Sequence, residues 1–177
     1  MAVEVRLRDG TPAVTWSLLP EDREALALAY EDLSPESKFH RFLTGVPHLS
    51  DEMLTRLVDD VDGVNHVALV LVLLDDENAG EPAAVGHMVR YSDDPTAADV
   101  AVTVAEEFRN RGAASALLAE LVAERPKGVE RLRTVLAADN RASLAMLQRL
   151  GPTTVKASDD VLDVEVTLPA PDQSAVQ

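Results

Sequence analysis

Cysteine is absent from this 177-residue chain, so disulfides, thiolate metal sites and a thiol nucleophile are excluded together. Aromatic side chains are scarce, at 3% of the sequence. That leaves the core to Val, Leu and Ala and removes the stacking platform that single-stranded nucleic-acid binding requires. Cations are outnumbered: 16 Lys and Arg face 31 Asp and Glu, a net charge of -15. Such a surface repels a phosphate backbone, so no nucleic-acid partner is expected, whereas a basic amine is drawn in. Spread along the whole chain, the same carboxylates also serve solubility. Long apolar runs are missing as well. The longest, Val67 to Leu74, has eight residues against roughly 20 for a membrane helix, so no membrane partner is expected and the run reads as a buried strand. Met1 to Gly10 alternates charged and apolar residues with no signal-peptide core, which predicts a cytoplasmic location. His40, His48, His66 and His87 are scattered without ligand spacing, so no metal is expected, and His66 and His87 read as packed or hydrogen-bonded strand residues.

What is present is the balance of an ordinary globular protein, 46% apolar and 27% charged, which predicts a single domain over residues 1–168 and a disordered tail from Pro169 to Gln177. Val3 to Arg8 and Ala13 to Leu18 flank Asp9-Gly10 and read as a hairpin or two short strands. Pro20, Ser34-Pro35-Glu36 and Ser50-Asp51-Glu52 each carry helix-start signals. Asn65 to Leu74 and Ala83 to Tyr91 are strand-like and joined by the acidic linker Asp75 to Pro82. In Asp99 to Val104, Val100, Val102 and Val104 alternate onto one face, which reads as core, while Asp99, Ala101 and Thr103 share the other. From Gly112 the period becomes helical, with Ala114, Leu117, Leu118, Leu121 and Val122 on one side. Leu132 to Ala137 reads as a strand, Asn140 to Leu150 as a helix capped by Asn140 or Asp139 and stopped at Gly151, and Val161 to Leu168 as a last strand. Strands interleaved with helices make the class α/β, and the hairpin makes the sheet mixed rather than wholly parallel.

One junction carries chemistry. The strand ending at Val104 leads through Ala105 to Phe108 into Arg109-Asn110-Arg111-Gly112-Ala113-Ala114, which opens a helix. A helix start presents N–H groups without helical partners and partial positive charge, and Gly112 with its two alanines lets an anion approach the backbone. Arg109 and Arg111 add charge, and since arginine is unfavourable at the positive end of a helix, a bound anion accounts for them better than solvation does. A lone glycine argues against a dinucleotide fold, and the absence of Gly-Lys-Ser/Thr argues against a nucleoside triphosphatase loop. Glu106 and Glu107 read as loop solvation.

Arg109-x-x-Gly112-x-Ala114 after a valine-rich strand resembles the acetyl-CoA signature of the GNAT superfamily of N-acetyltransferases. Asn140 to Gly151 is similar to that family's later helix. Leu33 to Ser37 with Arg41-Phe42, Leu49-Ser50, Val61-Asp62 before His66 to Val70, and Ala98 to Ala101 look most like the acetyltransferase domain of bacterial Pat-type protein lysine acetyltransferases. The resemblance implies a mixed, mostly antiparallel splayed sheet flanked by helices. It places pantetheine between the strand ending near Val104 and that starting near Leu132. Backbone at Thr103 and Val104 would hold the pantetheine arm, N–H groups from Arg111 to Ala114 the diphosphate, and Asn140 would cap its helix near the cofactor. It further implies direct acetyl transfer from acetyl-CoA to a primary amine, most simply a protein lysine. Asp99 would be the general base, one methylene shorter than the family's glutamate and ten residues before Arg109. Where many relatives carry a tyrosine as general acid this chain has Leu147. A small-molecule amine acceptor, or a non-catalytic acyl-CoA-binding module, stays open.

Overall fold

The computed structural model describes residues 2–74, 80 and 82–170. Of the linker, residues 75–79 and 81 lie outside the described residues, as does the tail from residue 171. The chain divides into two compact units, one of Met1–Val89 with Val100–Pro126 and one of Arg90–Asp99 with Lys127–Gln177.

In the first unit, β1 (Val3–Arg6) and β2 (Pro12–Ser17) pair antiparallel around the Asp9-Gly10 turn, with Gly10 at φ 91°. A short 3₁₀ turn at Pro20–Asp22 leads into α1 (Arg23–Glu31). Ser34 then caps α2 (Pro35–Phe42) by accepting from the Ser37 N–H, and Ser50 caps α3 (Asp51–Leu54) by accepting from Met53. These are the hydroxyl caps the sequence signals, each satisfying an orphan N–H of a first turn. α3 runs on into a π-type turn at Thr55–Asp59, closed by the Asp60 N–H on the Thr55 carbonyl.

β3 (His66–Leu73) is buried at every one of its eight residues. It pairs antiparallel with β2 on one side and with β4 (Pro82–Arg90) on the other. Ala68, Val70 and Val72 meet Leu18 and Val58 in one core cluster. Leu69, Leu71 and Leu73 alternate to the opposite face, which α4 (Ala113–Ala123) covers. Burial on both faces is why this strand reads as a continuous apolar run. Gly86, opposite Leu69, lets α4 approach: a Cβ there would lie 2.6 Å from Leu121 Cδ1.

β5 (Ala97–Val104) begins in the second unit and ends in the first. Its inward face is only partly core, since Val100 is buried but Val102 and Val104 are half-exposed. In the second unit the start of β5 runs parallel to β6 (Arg131–Ala137), through Ala97 with Arg131 and Ala98 with Leu132. β6 pairs antiparallel with β8 (Val161–Thr167), and β8 with β7 (Thr153–Ser158). The ladder order is β1-β2-β3-β4-β5-β6-β8-β7, a mixed and mostly antiparallel sheet. β7 is the strand the sequence reading missed. It is an edge strand with five of its six residues exposed, so it carries none of the apolar alternation by which half-buried strands announce themselves.

α5 (Arg141–Gln148) packs on β8 and ends three residues before Gly151. Gly151 does not adopt a left-handed conformation; what demands a glycine is space, because a Cβ there would sit 2.1 Å from the Thr167 carbonyl oxygen. Backbone cannot yield as a side-chain tip can. Gly151→Ala should therefore lower stability by about 1–3 kcal/mol, roughly 3–10 °C in Tm by calorimetry. An unchanged Tm would mean that β8 shifts at little cost.

Candidate functional site

In the first unit the end of β5 is pinned by the Ala105 N–H on the Ala83 carbonyl, 2.9 Å. A 3₁₀ turn at Glu106–Phe108 follows and buries Phe108. Asn110 at φ 63° and Gly112 at φ 99° then turn the chain into α4. The first helical bond runs from Ala116 N–H to the Gly112 carbonyl, 3.0 Å, so the N–H groups of Ala113, Ala114 and Ser115 have no acceptor within the helix. Gly112 offers no capping side chain, and the first turn of α4 holds no carboxylate. An electropositive helix start is left for an anion from outside.

The first hairpin braces this loop. Arg111 Nε donates to Asp9 Oδ2 at 2.8 Å, and its NH2 group donates to Thr11 Oγ1 at 2.6 Å. Arg8 donates to the Asn110 carbonyl at 2.9 Å. A Cβ on Gly112 would stand 2.8 Å from Arg8 N and Cβ, so close approach to the hairpin joins positive φ in requiring glycine. The Arg111 hydrogen bond, helped by Thr11, lowers the Asp9 carboxyl from 3.8 to about 2. The contact's stabilisation is therefore complete above the ordinary carboxylate range and is lost as pH falls through about 2.

Arg109 and Glu106 form a second brace. Glu106 accepts from the Ser34 N–H at 3.0 Å and from Ser37 Oγ, and it pairs with Arg109 at 3.2 Å. Arg109 also donates to Ser37 Oγ. Burial pushes the Glu106 carboxyl up, but the Ser37 and Ser34 donors and the Arg109 charge outweigh it, leaving the group below its usual range. Glu106 is thus a tie between the loop and α2 rather than a solvated loop carboxylate. Both arginines, read as counter-charges for an anion, already meet carboxylates of their own chain.

Beside the loop the first unit holds a largely apolar cavity of about 100 Å³, walled by α1, α2, β3 and β4 and reached by Thr103 and Ala105 of the β5 end. Its polar members include Arg41 and His87. His87 Nδ1 lies 3.1 Å from His66 Nε2, and the two rings are 5% and 8% exposed. Burial lowers the pKa of each; Arg41 and His66 lower His87 further, whereas Asp62 and Asp60 partly offset the effect on His66. Both imidazoles are neutral at pH 7. Asp62 fixes the entry to β3 by accepting from the N–H groups of Val64, Asn65 and His66, which holds its carboxyl far below the ordinary range. Among the described residues no cluster of three or more His, Asp or Glu is placed to hold a metal.

In the second unit Asp99 is exposed on β5, flanked by buried Ala98 and Val100. Tyr91, which the sequence reading gave no site role, raises its phenol pKa through burial and then through the Asp99 charge, and its hydroxyl donates to the Arg133 carbonyl at 3.0 Å. Asn140 caps α5, Oδ1 accepting from the Ser143 N–H at 3.1 Å. Leu147 is 3% exposed and belongs to the core.

A strand, a left-handed glycine and an uncapped helix start together make a junction open to an anion. Residues 26–151 match the model of the acetyltransferase (GNAT) family. The chain is 28% identical over 172 residues to acetyltransferase Pat of Mycolicibacterium smegmatis, covering 96% of this chain and 50% of that protein, so it spans about half that relative's length. It is 29% identical over 161 residues to acetyltransferase PA5475 of Pseudomonas aeruginosa, covering 89% of this chain and 84% of that one. The crystal structure of the GNAT domain of S. lividans PAT superposes with a TM-score of 0.82 at 29% identity, covering 94% of this chain and 97% of that one. The fold built here is thus the GNAT fold, and the chain belongs to the acetyltransferase (GNAT) family.

Proposed function

We propose that residues 1–168 act as one acetyltransferase domain that moves the acetyl group of acetyl-CoA directly to a primary amine, best read as a lysine on a protein, in the cytoplasm. The observation that carries this reading is the uncapped start of α4 behind Gly112, where three backbone N–H groups and no carboxylate await an anion. The N–H groups of Arg111, Gly112, Ala113 and Ala114 take the diphosphate, and the backbone of Thr103 and Val104 takes the pantetheine arm. Arg109 and Arg111 contribute through the loop shape they hold and the charge they leave nearby. Asn140 orients α5 by its cap. Lysine acceptance is supported by the similarity to Pat acetyltransferase and by the net charge of -15, which favours cationic partners.

Amine acylation needs a neutral nucleophile, so a carboxylate must take the ammonium proton before nitrogen attacks the thioester carbonyl. Asp99 is exposed and adjoins small Ala101 on its strand face, which leaves room for an acceptor. As the shorter acid it acts directly or through one water. Leu147, a core residue, has no proton to give, so the thiolate gets no help from that position of α5. A small-molecule amine is the second reading, favoured by the largely apolar cavity of the first unit. A non-catalytic acyl-CoA-binding module would bind acetyl-CoA yet release no thiol with any amine or peptide.

The loop assignment is tested by Gly112→Val and Arg111→Glu, both expected to weaken acetyl-CoA binding in calorimetry, the first to below detection. Because Gly112→Val also meets Arg8 and a left-handed backbone, each variant is first checked for a native melting transition. Two folded variants with wild-type affinity would refute the assignment. Asp99→Asn should bind acetyl-CoA normally but turn over roughly 10²- to 10⁴-fold more slowly, measured as thiol release with a confirmed acceptor. Asp99→Glu should retain more activity than Asp99→Asn. Near-normal turnover in Asp99→Asn would remove Asp99 from the reaction. Duplex DNA should not bind at physiological salt, and a salt-sensitive gel shift with random DNA would contradict this.

A further inference from the structure

Three arginines stand where the chain turns into α4, and they differ in their partners. Arg109 meets Glu106 at 3.2 Å and Arg111 meets Asp9 at 2.8 Å, so a carboxylate of the chain already answers each charge. Arg8 has none. Among the described residues its side chain makes one hydrogen bond, from the NH2 group to the Asn110 carbonyl at 2.9 Å, and no ion pair. A carbonyl oxygen accepts one N–H without cancelling the charge, and a guanidinium carries five N–H donors, so most of them stay available. The chain has 31 Asp and Glu for 16 Lys and Arg, yet at this point a cation is left without a carboxylate.

The position of Arg8 is fixed from both ends. Leu7 beside it is 4% exposed. Its own N and Cβ would lie 2.8 Å from a Cβ on Gly112, and the next N–H, of Asp9, donates to the Arg111 carbonyl at 3.4 Å. The guanidinium is held at Asn110, two residues before Gly112, which is about 7 Å of chain at most. It therefore stands within about 10 Å, a Debye length, of the N–H groups of Ala113 and Ala114 that the helix leaves without acceptors. A cation at the positive end of a helix is unfavourable by itself. An anion seated between the two removes the conflict, and the guanidinium fork is matched to phosphate oxygens two at a time.

We propose that Arg8 is the unmatched cation of the cofactor site: its guanidinium, resting on Asn110, bonds the diphosphate of acetyl-CoA that the N–H groups of α4 receive. The proposal rests on the acetyl-CoA reading above and adds to it a residue from outside the 109–114 loop. It gives the three arginines different tasks. Arg109 and Arg111 direct their charge to Glu106 and Asp9 and shape the loop, while Arg8 keeps its charge for the ligand. The Asn110 contact holds the fork in place beforehand, so less side-chain freedom is lost when the phosphate arrives.

The test is calorimetric titration of the full chain with acetyl-CoA, after each variant has shown a native melting transition. Arg8→Gln should raise Kd roughly tenfold, and Arg8→Lys, which keeps the charge but not the fork, should lose less. The wild-type Kd should weaken as NaCl rises, and Arg8→Gln should flatten that dependence. Arg6→Gln controls for net charge, since Arg6 bonds the Gly10 carbonyl within the hairpin turn at 2.7 Å; its Kd should stay within about twofold of wild type. Dephospho-acetyl-CoA, which lacks the 3′-phosphate, should show the same fold loss in Arg8→Gln. The proposal is overturned by an unchanged Kd in Arg8→Gln, or by an equal loss in Arg6→Gln. It is also overturned by a salt dependence as steep in Arg8→Gln as in wild type, or by a loss that disappears with dephospho-acetyl-CoA and so belongs to the 3′-phosphate. In each of these cases the wild type still binds, and the acetyl-CoA reading stands. A wild type that binds no acetyl-CoA defeats that reading and the proposal with it.

Discussion

β3 is enclosed on both faces, and the placement of α4 follows from that enclosure. Its eight residues alternate between two cores, Ala68, Val70 and Val72 toward the α3 side and Leu69, Leu71 and Leu73 toward α4. Each fully buried leucine contributes about 1.5–3 kcal/mol, so the strand cannot slip by one residue without exchanging its two faces. α4 answers with Leu117, Leu118 and Leu121, all at or below 1% exposure, and Gly86 removes the side chain that would hold it away. Tertiary packing must do this, because the helix lacks both a capping side chain and an acidic first turn. A helix stabilised by its apolar face can leave its amino end unsatisfied, and that unsatisfied end is what a diphosphate would use.

Holding the amino end still is a separate task, performed by two sets of polar ties that reach far along the chain. Asp9, Thr11 and Arg8 secure Arg111 and Asn110 from about a hundred positions away, while Ser34 and Ser37 secure Glu106 and Arg109. Most of these side chains are at least partly exposed, and single surface pairs of this kind contribute little to stability. Their effect is positional. Several weak ties from two directions fix a loop whose own sequence, with two left-handed residues, would otherwise sample many shapes.

The parts legible in the sequence were those encoded locally. Ser34, Ser50 and Asn140 each cap the helix that their spacing announces, and the Asp9-Gly10 turn joins the hairpin expected of it. Gly112 was legible as the opening of a helix, although the sequence supplied only one of its reasons: close approach to Arg8 is a contact between residues 104 positions apart in number, invisible to any local pattern. β7 was not legible because an edge strand with solvent on most of its residues has no periodic burial to record. The His66–His87 pair was legible as two packed strand histidines but not as a pair. Register between β3 and β4, not spacing, brings them together, with Ala68 opposite His87 and His66 opposite Val89.

Charge and burial make opposite demands on an amine such as the acceptor proposed above, and the two features lie in different places on this chain. A net charge of -15 draws a cation toward the surface and speeds encounter, yet the cavity reached by the end of β5 is walled mostly by apolar side chains and includes one imidazole, His87, that burial keeps neutral. A long-range field acts on the ammonium while it is still solvated and adds little once the nitrogen is desolvated, where hydrogen bonding and size decide. For the amine acceptor proposed above, attraction and admission would therefore be independent filters, the first on charge and the second on size and the cost of desolvation. Between them the nitrogen must lose a proton, and an exposed carboxylate is suited to that step because water can carry the proton onward. A buried base would hold the proton in the low-dielectric space from which the nucleophile is meant to attack.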